Sequence, residues 1–215
     1  MADILSARDS RRDSGMTLIE LIVALGLFTV FISILLSGVV VFTRALTDAR
    51  LDAQSSSETA VALQRIERSV RYANSVNYPG VVAANVYIEW RTDAVSAPTG
   101  VTTCTQLRYS STDGTISMRA WKLGDAASTG TWHALINDLR GTGTVSFPFI
   151  LVPAGASSAY QGVTVSIVAG RDDTVGTMTS VTYYSKNSSA ESPSNTTDTS
   201  GQSLTPVCNP SGYRP

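Results

Sequence analysis

Histidine occurs once, at His133, and cysteine twice, at Cys104 and Cys208, in a chain of 215 residues. A single histidine with no second histidine or nearby cysteine does not complete a common metal site, so His133 is read as a packing or surface residue and no metal is expected. No serine sits in a GxSxG or similar context, which leaves a Ser-His-Asp triad without support. Neither an enzyme nor a cofactor is expected. The cysteines are too few for a disulfide-framework miniprotein and too far apart for a CxxC metal or redox motif. Net charge is also scarce: 16 basic and 17 acidic residues nearly cancel, so no global field draws the chain to nucleic acid or to a membrane surface.

Long apolar runs are absent too, with one exception. From Leu21 to Thr43 there is no charged residue, and at about 1.5 Å rise per helical residue the stretch is long enough to cross a hydrocarbon core of roughly 30 Å. A cleaved secretory signal usually has a shorter apolar region, with a small-residue cleavage site on its far side. Arg8, Arg11 and Arg12 precede the run, and Arg44 and Arg50 follow it. Counting basic residues favours a cytoplasmic N-terminus and an extracytoplasmic bulk. One acid stands at the entrance, Glu20, inside "SGMTLIEL". An unpaired charge at the centre of a membrane helix costs on the order of 3 kcal/mol on the lenient insertion scales, so a compensating partner is expected.

Gly15 before Met16, then "MTLIELIVALGLF" with Glu20 fifth after the glycine, resembles the class III signal of type IV pilins and pseudopilins. The resemblance covers about the first 45 residues in detail. It implies a leader at 1–15, cut by a prepilin peptidase between Gly15 and Met16, with methylation of the new amino group of Met16. It further implies that Glu20 pairs with the terminal amine of a neighbouring subunit during filament assembly. Such pairing would offset the cost of a carboxylate at low dielectric and fix axial register; the alternative is that Glu20 snorkels to headgroups or pairs within its own chain. Implied partners are other pilin or pseudopilin subunits, the peptidase, an inner-membrane assembly platform, and membrane lipid before assembly. Where major pilins often carry a helix proline, this chain has Ser37-Gly38; Gly26 and Gly38 suit close helix packing.

Beyond a membrane helix at 16–43, the pattern predicts an amphipathic continuation over 44–77. Leu63, Ile66, Val70 and Ala73 recur at spacings of three and four, with Gln64, Glu67, Arg68 and Arg71 on other faces. Tyr78-Pro79-Gly80 is expected to end the helix, giving a stem of some 90 Å from Met16 to Asn77. Short runs rich in Val, Thr, Ile and Tyr then predict strands at Val81 to Trp90, Val145 to Val152, Gly162 to Val168 and Met178 to Ser185. A hairpin turns at Asp113-Gly114, and "WHALINDL" is expected as a short helix or irregular connector. The expected fold is α+β, a long helix packed on an antiparallel β-sheet domain at 78–215.

Residues 186–203, too polar to bury anything, are expected as a flexible loop. If the bulk of the chain is exported, Cys104 and Cys208 can form one disulfide, which ties the tail back with roughly 4 to 5 kcal/mol of loop entropy; many pilins have a comparable C-terminal loop. Asp172-Asp173 are hard ligands without EF-hand spacing and read as a solvated turn. Arg65, Arg68 and Arg71 make a drifting basic stripe, so nucleic acid is a possible but unsupported partner. The sequons at Asn187 and Asn195 carry little information.

The leading expectation is a minor pilin or pseudopilin, similar to the W-type and J-type members, that initiates or caps a type IV pilus-like filament serving DNA uptake, adhesion, motility or secretion. The alternatives are a tip receptor for DNA or a surface, and an ordinary single-span membrane protein with an extracellular β-domain.

Overall fold

The computed structural model describes residues 17–137, 139, 148–168 and 178–208. Gly15, Met16, Asp172, Asp173 and the start of the strand expected at Val145 lie outside the described residues. The architecture is α+β, with one long N-terminal helix and two antiparallel sheets. Contacts divide the chain into two units, Met1–Arg50 and Leu51–Pro215. Helix α1, Leu18–Arg71, begins in the first and ends in the second.

In the first unit the helix is apolar on all sides. Leu18–Arg50 is long and apolar enough to cross a membrane; its most apolar 18 residues have a mean hydropathy of 2.6 and none of them is buried. Its hydroxyls do not stay open. Thr29 Oγ1 donates to the Gly26 carbonyl (2.8 Å), Ser33 to Thr29 (2.7 Å), Ser37 to Ser33 (2.8 Å) and Thr47 to Thr43 (2.9 Å). Each of these hydroxyls is thereby satisfied within its own helix, the condition for residing in an apolar medium.

In the second unit the helix carries a stripe instead. Ala62, Leu63, Ile66 and Val70 are buried, and Arg65 and Arg68 are exposed. The stripe packs into one core with Val86, Ile88 and Trp90, Leu107 and Tyr109, Ile116 and Ile136, Phe149 and Leu151, and Val163, Val165 and Ile167. These come from both sheets. The first sheet contains β1 (Ser75–Val76), β2 (Gly80–Val82), β3 (Asn85–Thr92), β4 (Thr103–Ser110), β5 (Thr115–Lys122) and β6 (His133–Ile136). Its order is β1-β3-β4-β5-β6, with β2 also on β3. The second has β7 (Phe149–Val152), β8 (Gly162–Val168) and β9 (Met178–Tyr184) in sequence order.

Four expectations need correction. Helix α1 stops at Arg71, not Asn77, because the next backbone groups are claimed by β3: Asn74 N–H donates to the Arg91 carbonyl and Asn77 N–H to that of Glu89, each at 2.8 Å. The strand expected from Val81 to Trp90 is a hairpin, β2 to β3, with Val82 opposite Asn85 and Ala83 in the left-handed region at φ 53°. An alanine there gives no turn signal of the glycine kind. "WHALINDL" contributes strand β6, paired with Ser117 and Met118 and shifted by a bulge. Finally, the polar segment after β9 is packed, not free.

That segment supplies what the helix end lacks. The last carbonyls of a helix have no partner inside it. Here Lys186 N–H donates to Arg71 (3.0 Å), Asn187 Nδ2 to Tyr72 (3.1 Å), Ser185 Oγ to Ala73, and Ser192 Oγ to Asn74 (2.8 Å). Farther on, Ser194 Oγ donates to Val76 (2.6 Å), and Asn195 bonds both backbone groups of Ala154 at 2.8 and 2.9 Å. Ser188, Ser194, Asn195 and Ser203 are buried. Polar side chains are buried here because each meets a backbone group, and a buried bond of this kind nets about 1 kcal/mol.

The hairpin expected at Asp113-Gly114 forms between β4 and β5, with Ser110 opposite Thr115. Gly114 takes the positive angle, φ 60°, and a Cβ there would lie 2.6 Å from the Leu139 carbonyl oxygen. Asp113 locks the turn: its N–H donates to Ser110 Oγ (3.2 Å), whose hydroxyl donates to Asp113 Oδ2 (2.8 Å).

Candidate functional site

At the helix entrance the sequence Thr17-Leu18-Ile19-Glu20 forms a reciprocal cap. Glu20 Oε2 accepts the Thr17 N–H and the Thr17 hydroxyl, both at 3.0 Å, while the Glu20 N–H points to Thr17 Oγ1 at 3.4 Å. Threonine followed three residues later by glutamate is the capping-box spacing, which satisfies otherwise orphaned donors at a helix start. The negative charge also sits at the positive end of the peptide dipoles. Thus a partner for Glu20 lies within its own chain. The spacing was visible in the sequence, where the apolar run and the glycine drew the eye to the amine of Met16 instead. Both bonds fall on Oε2; among the described residues Oε1 accepts no hydrogen bond.

The two cysteines are joined. Cys104 on β4 and Cys208 form a disulfide with Cα atoms 5.7 Å apart, packed against buried Trp121 and Ala127. Beside it, Asn77 holds the tail by two bonds, accepting from Val207 N–H (2.8 Å) and donating to its carbonyl (2.9 Å).

Asn77 also opens a polar network on the face of the first sheet turned away from the helix. Its Nδ2 donates to Glu89 Oε1 (2.8 Å); Gln106 Nε2 donates to Glu89 Oε2 (3.3 Å); Arg119 Nε donates to Gln106 Oε1 (2.9 Å). Glu89, Gln106 and Arg119 are directly opposite one another across β3, β4 and β5 and are all buried. Trp132 lies over the next positions, with the guanidinium carbons of Arg119 and Arg108 at 4.4 and 4.5 Å from its ring centroid. Sequence reasoning missed this face. Its signal was a polar residue at every second position of strands whose alternate residues are apolar, a pattern usually read as a solvated face.

His133 is exposed on β6, and among the described residues no three His, Cys, Asp or Glu side chains cluster as a metal site would require. Arg65, Arg68 and Arg71 are exposed, but Arg71 is paired with Glu67, so the basic stripe is partly neutralised.

Comparison with known proteins adds one finding. Residues 10–36 match the model of the prokaryotic N-terminal methylation motif. The match takes in Gly15, Met16 and Glu20 and a short part of the 215-residue chain. No curated protein and no solved structure matches the chain.

Proposed function

We propose that the protein is a structural subunit of a type IV pilus-like filament, of the minor pilin or pseudopilin kind. One observation carries the reading: a methylation motif at 10–36 leads directly into an apolar helix that buries nothing within its own chain. A surface of that kind needs lipid before assembly and neighbouring helices after it. The motif and the helix fit a membrane-anchored chain that a prepilin peptidase processes and that assembles with other pilin subunits.

In this reading the peptidase cuts after Gly15, Met16 becomes the methylated terminus, and Glu20 pairs with the terminal amine of an adjacent subunit. Thr17 orients the acid by holding Oε2, and Oε1 is the oxygen assigned to the amine. The carboxylate is then doubly compensated, once by its own helix start and once across the interface. A role in initiating or capping the filament is the finer part of the proposal, and it rests on the likeness in element order to W-type and J-type subunits.

N-terminal sequencing and mass spectrometry of the membrane-extracted protein test the reading. The expected product starts at N-methylated Met16 and depends on the peptidase. A mature chain that retains residues 1–15, or filaments that incorporate Glu20→Gln as well as wild type, would overturn it.

A further inference from the structure

The polar face of the first sheet contains one cation more than its partners account for. Glu89 receives Asn77 and Gln106, Arg119 binds Gln106, and Arg91 pairs with Asp93 at 3.0 Å. Arg108 is different. It is half-buried, its guanidinium rests on Trp132 at 4.5 Å, and among the described residues no carboxylate or carbonyl accepts from it. Its Nε is shielded from solvent with no acceptor among the described residues. Directly opposite in register stands Tyr87, wholly buried, whose phenolic oxygen also lacks a partner among the described residues. The Tyr87 ring centroid lies 6.5 Å from that of Trp132.

Two neighbouring donors, one charged and one neutral, thus share a sheet face without an acceptor among the described residues. The aromatic contact fixes the plane of the guanidinium, leaving its N–H fork to a planar, two-oxygen anion. We propose that Arg108 and Tyr87, framed by Trp132, form a carboxylate-binding subsite. The carboxylate belongs either to a small free acid or to an aspartate or glutamate of another protein chain. The site stands independently of whether the chain enters a filament.

The test uses the full chain in detergent micelles with its disulfide intact. Sodium acetate is titrated against sodium chloride at matched ionic strength while the Arg108 Nε–H resonance is followed, assigned by its loss in Arg108→Lys. A saturable shift specific to acetate is expected. Tyr87→Phe should weaken it about fivefold, the scale of one neutral hydrogen bond, and Arg108→Lys should remove saturation on a reporter amide of β4 while keeping the charge and the fold. A photo-crosslinker replacing exposed Ala134, which stands opposite Ser117 in the cross-strand row of Arg108, separates the sources in cells. Crosslinks to an acidic peptide of another chain that vanish with Arg108→Lys assign a protein carboxylate. Acetate saturation without such crosslinks assigns a free acid. A response to acetate no different from chloride, together with no Arg108-dependent crosslink, overturns the subsite.

Discussion

The two ends of helix α1 obey the same backbone geometry and opposite surface rules. From Leu18 to Arg50 the apolar side chains point in all directions and none is buried in the apolar window. Beyond Leu51 the buried apolar positions fall on one stripe, and Ile66 and Val70 are fully enclosed. The first stretch buries nothing within its own chain and leaves its surface exposed. The second buries its surface at home. Stability and assembly are therefore separable along one helix, and substitutions should sort accordingly.

The largest effect is expected at the disulfide. Replacing both Cys104 and Cys208 with serine should lower domain stability by about 4 to 5 kcal/mol on the loop-entropy model. Urea unfolding followed by tryptophan fluorescence measures this, with the helicity of the apolar stretch unaffected. Next, Ile66→Ala should cost about 3 kcal/mol through a core cavity. Ile34→Ala, at a position 68% exposed, should stay within about 0.5 kcal/mol, as surface substitutions do. Similar losses at both sites would break the contrast.

Asn77→Ala tests the domain's polar side. It removes one hydrogen bond to Glu89 and both to the Val207 backbone, for an expected loss of about 2 kcal/mol and earlier proteolysis of the tail. At the helix entrance Thr17→Val should cost about 1 kcal/mol of capping, visible as faster amide exchange in the first turn and not as a lower unfolding midpoint for the domain.

The smallest effect is a pH dependence. The Asp198 carboxyl is held below its ordinary 3.8 chiefly by the Ser200 hydroxyl and then by the Gln202 N–H. A depressed folded value means that its contribution is present above the ordinary value and is lost as pH falls through the lower one. Exchange of the Ser200 and Gln202 amides should therefore quicken only in acid, below the ordinary titration range, and Asp198→Asn should flatten that profile.

Much of the domain was legible from local pattern. Leu63, Ile66, Val70 and Ala73 named the buried stripe, and Val163, Val165 and Ile167 named the inner face of β8. Each is a repeat whose period matches the element that buries it. Asp113-Gly114 located a turn because only a few residues accept its backbone angles. By contrast, the helix end, the β2 to β3 turn and strand β6 were misplaced, since no residue marks them. Arg71 ends α1 because β3 and the segment at 185–192 take the backbone groups that follow. At the candidate site, the glycine, the apolar run and Glu20 were all readable. The Thr17 cap was readable too, from the threonine-to-glutamate spacing of three, and it realises the pairing within the chain that stood as the alternative to a neighbour's amine.

The amino-acid order alone therefore settled the period of burial, the apolar reach from Leu21 to Thr43 and the spacing of Thr17 from Glu20. All three depend on residues within a few turns of one another. Tertiary structure alone decided which polar groups are buried and what they hold. Ser194 meets Val76, Asn77 meets Val207, and Arg108 rests on Trp132. Apolar side chains are interchangeable in choosing a core, whereas a hydrogen bond requires one particular atom at about 3 Å, and no local pattern encodes where a distant strand will place it.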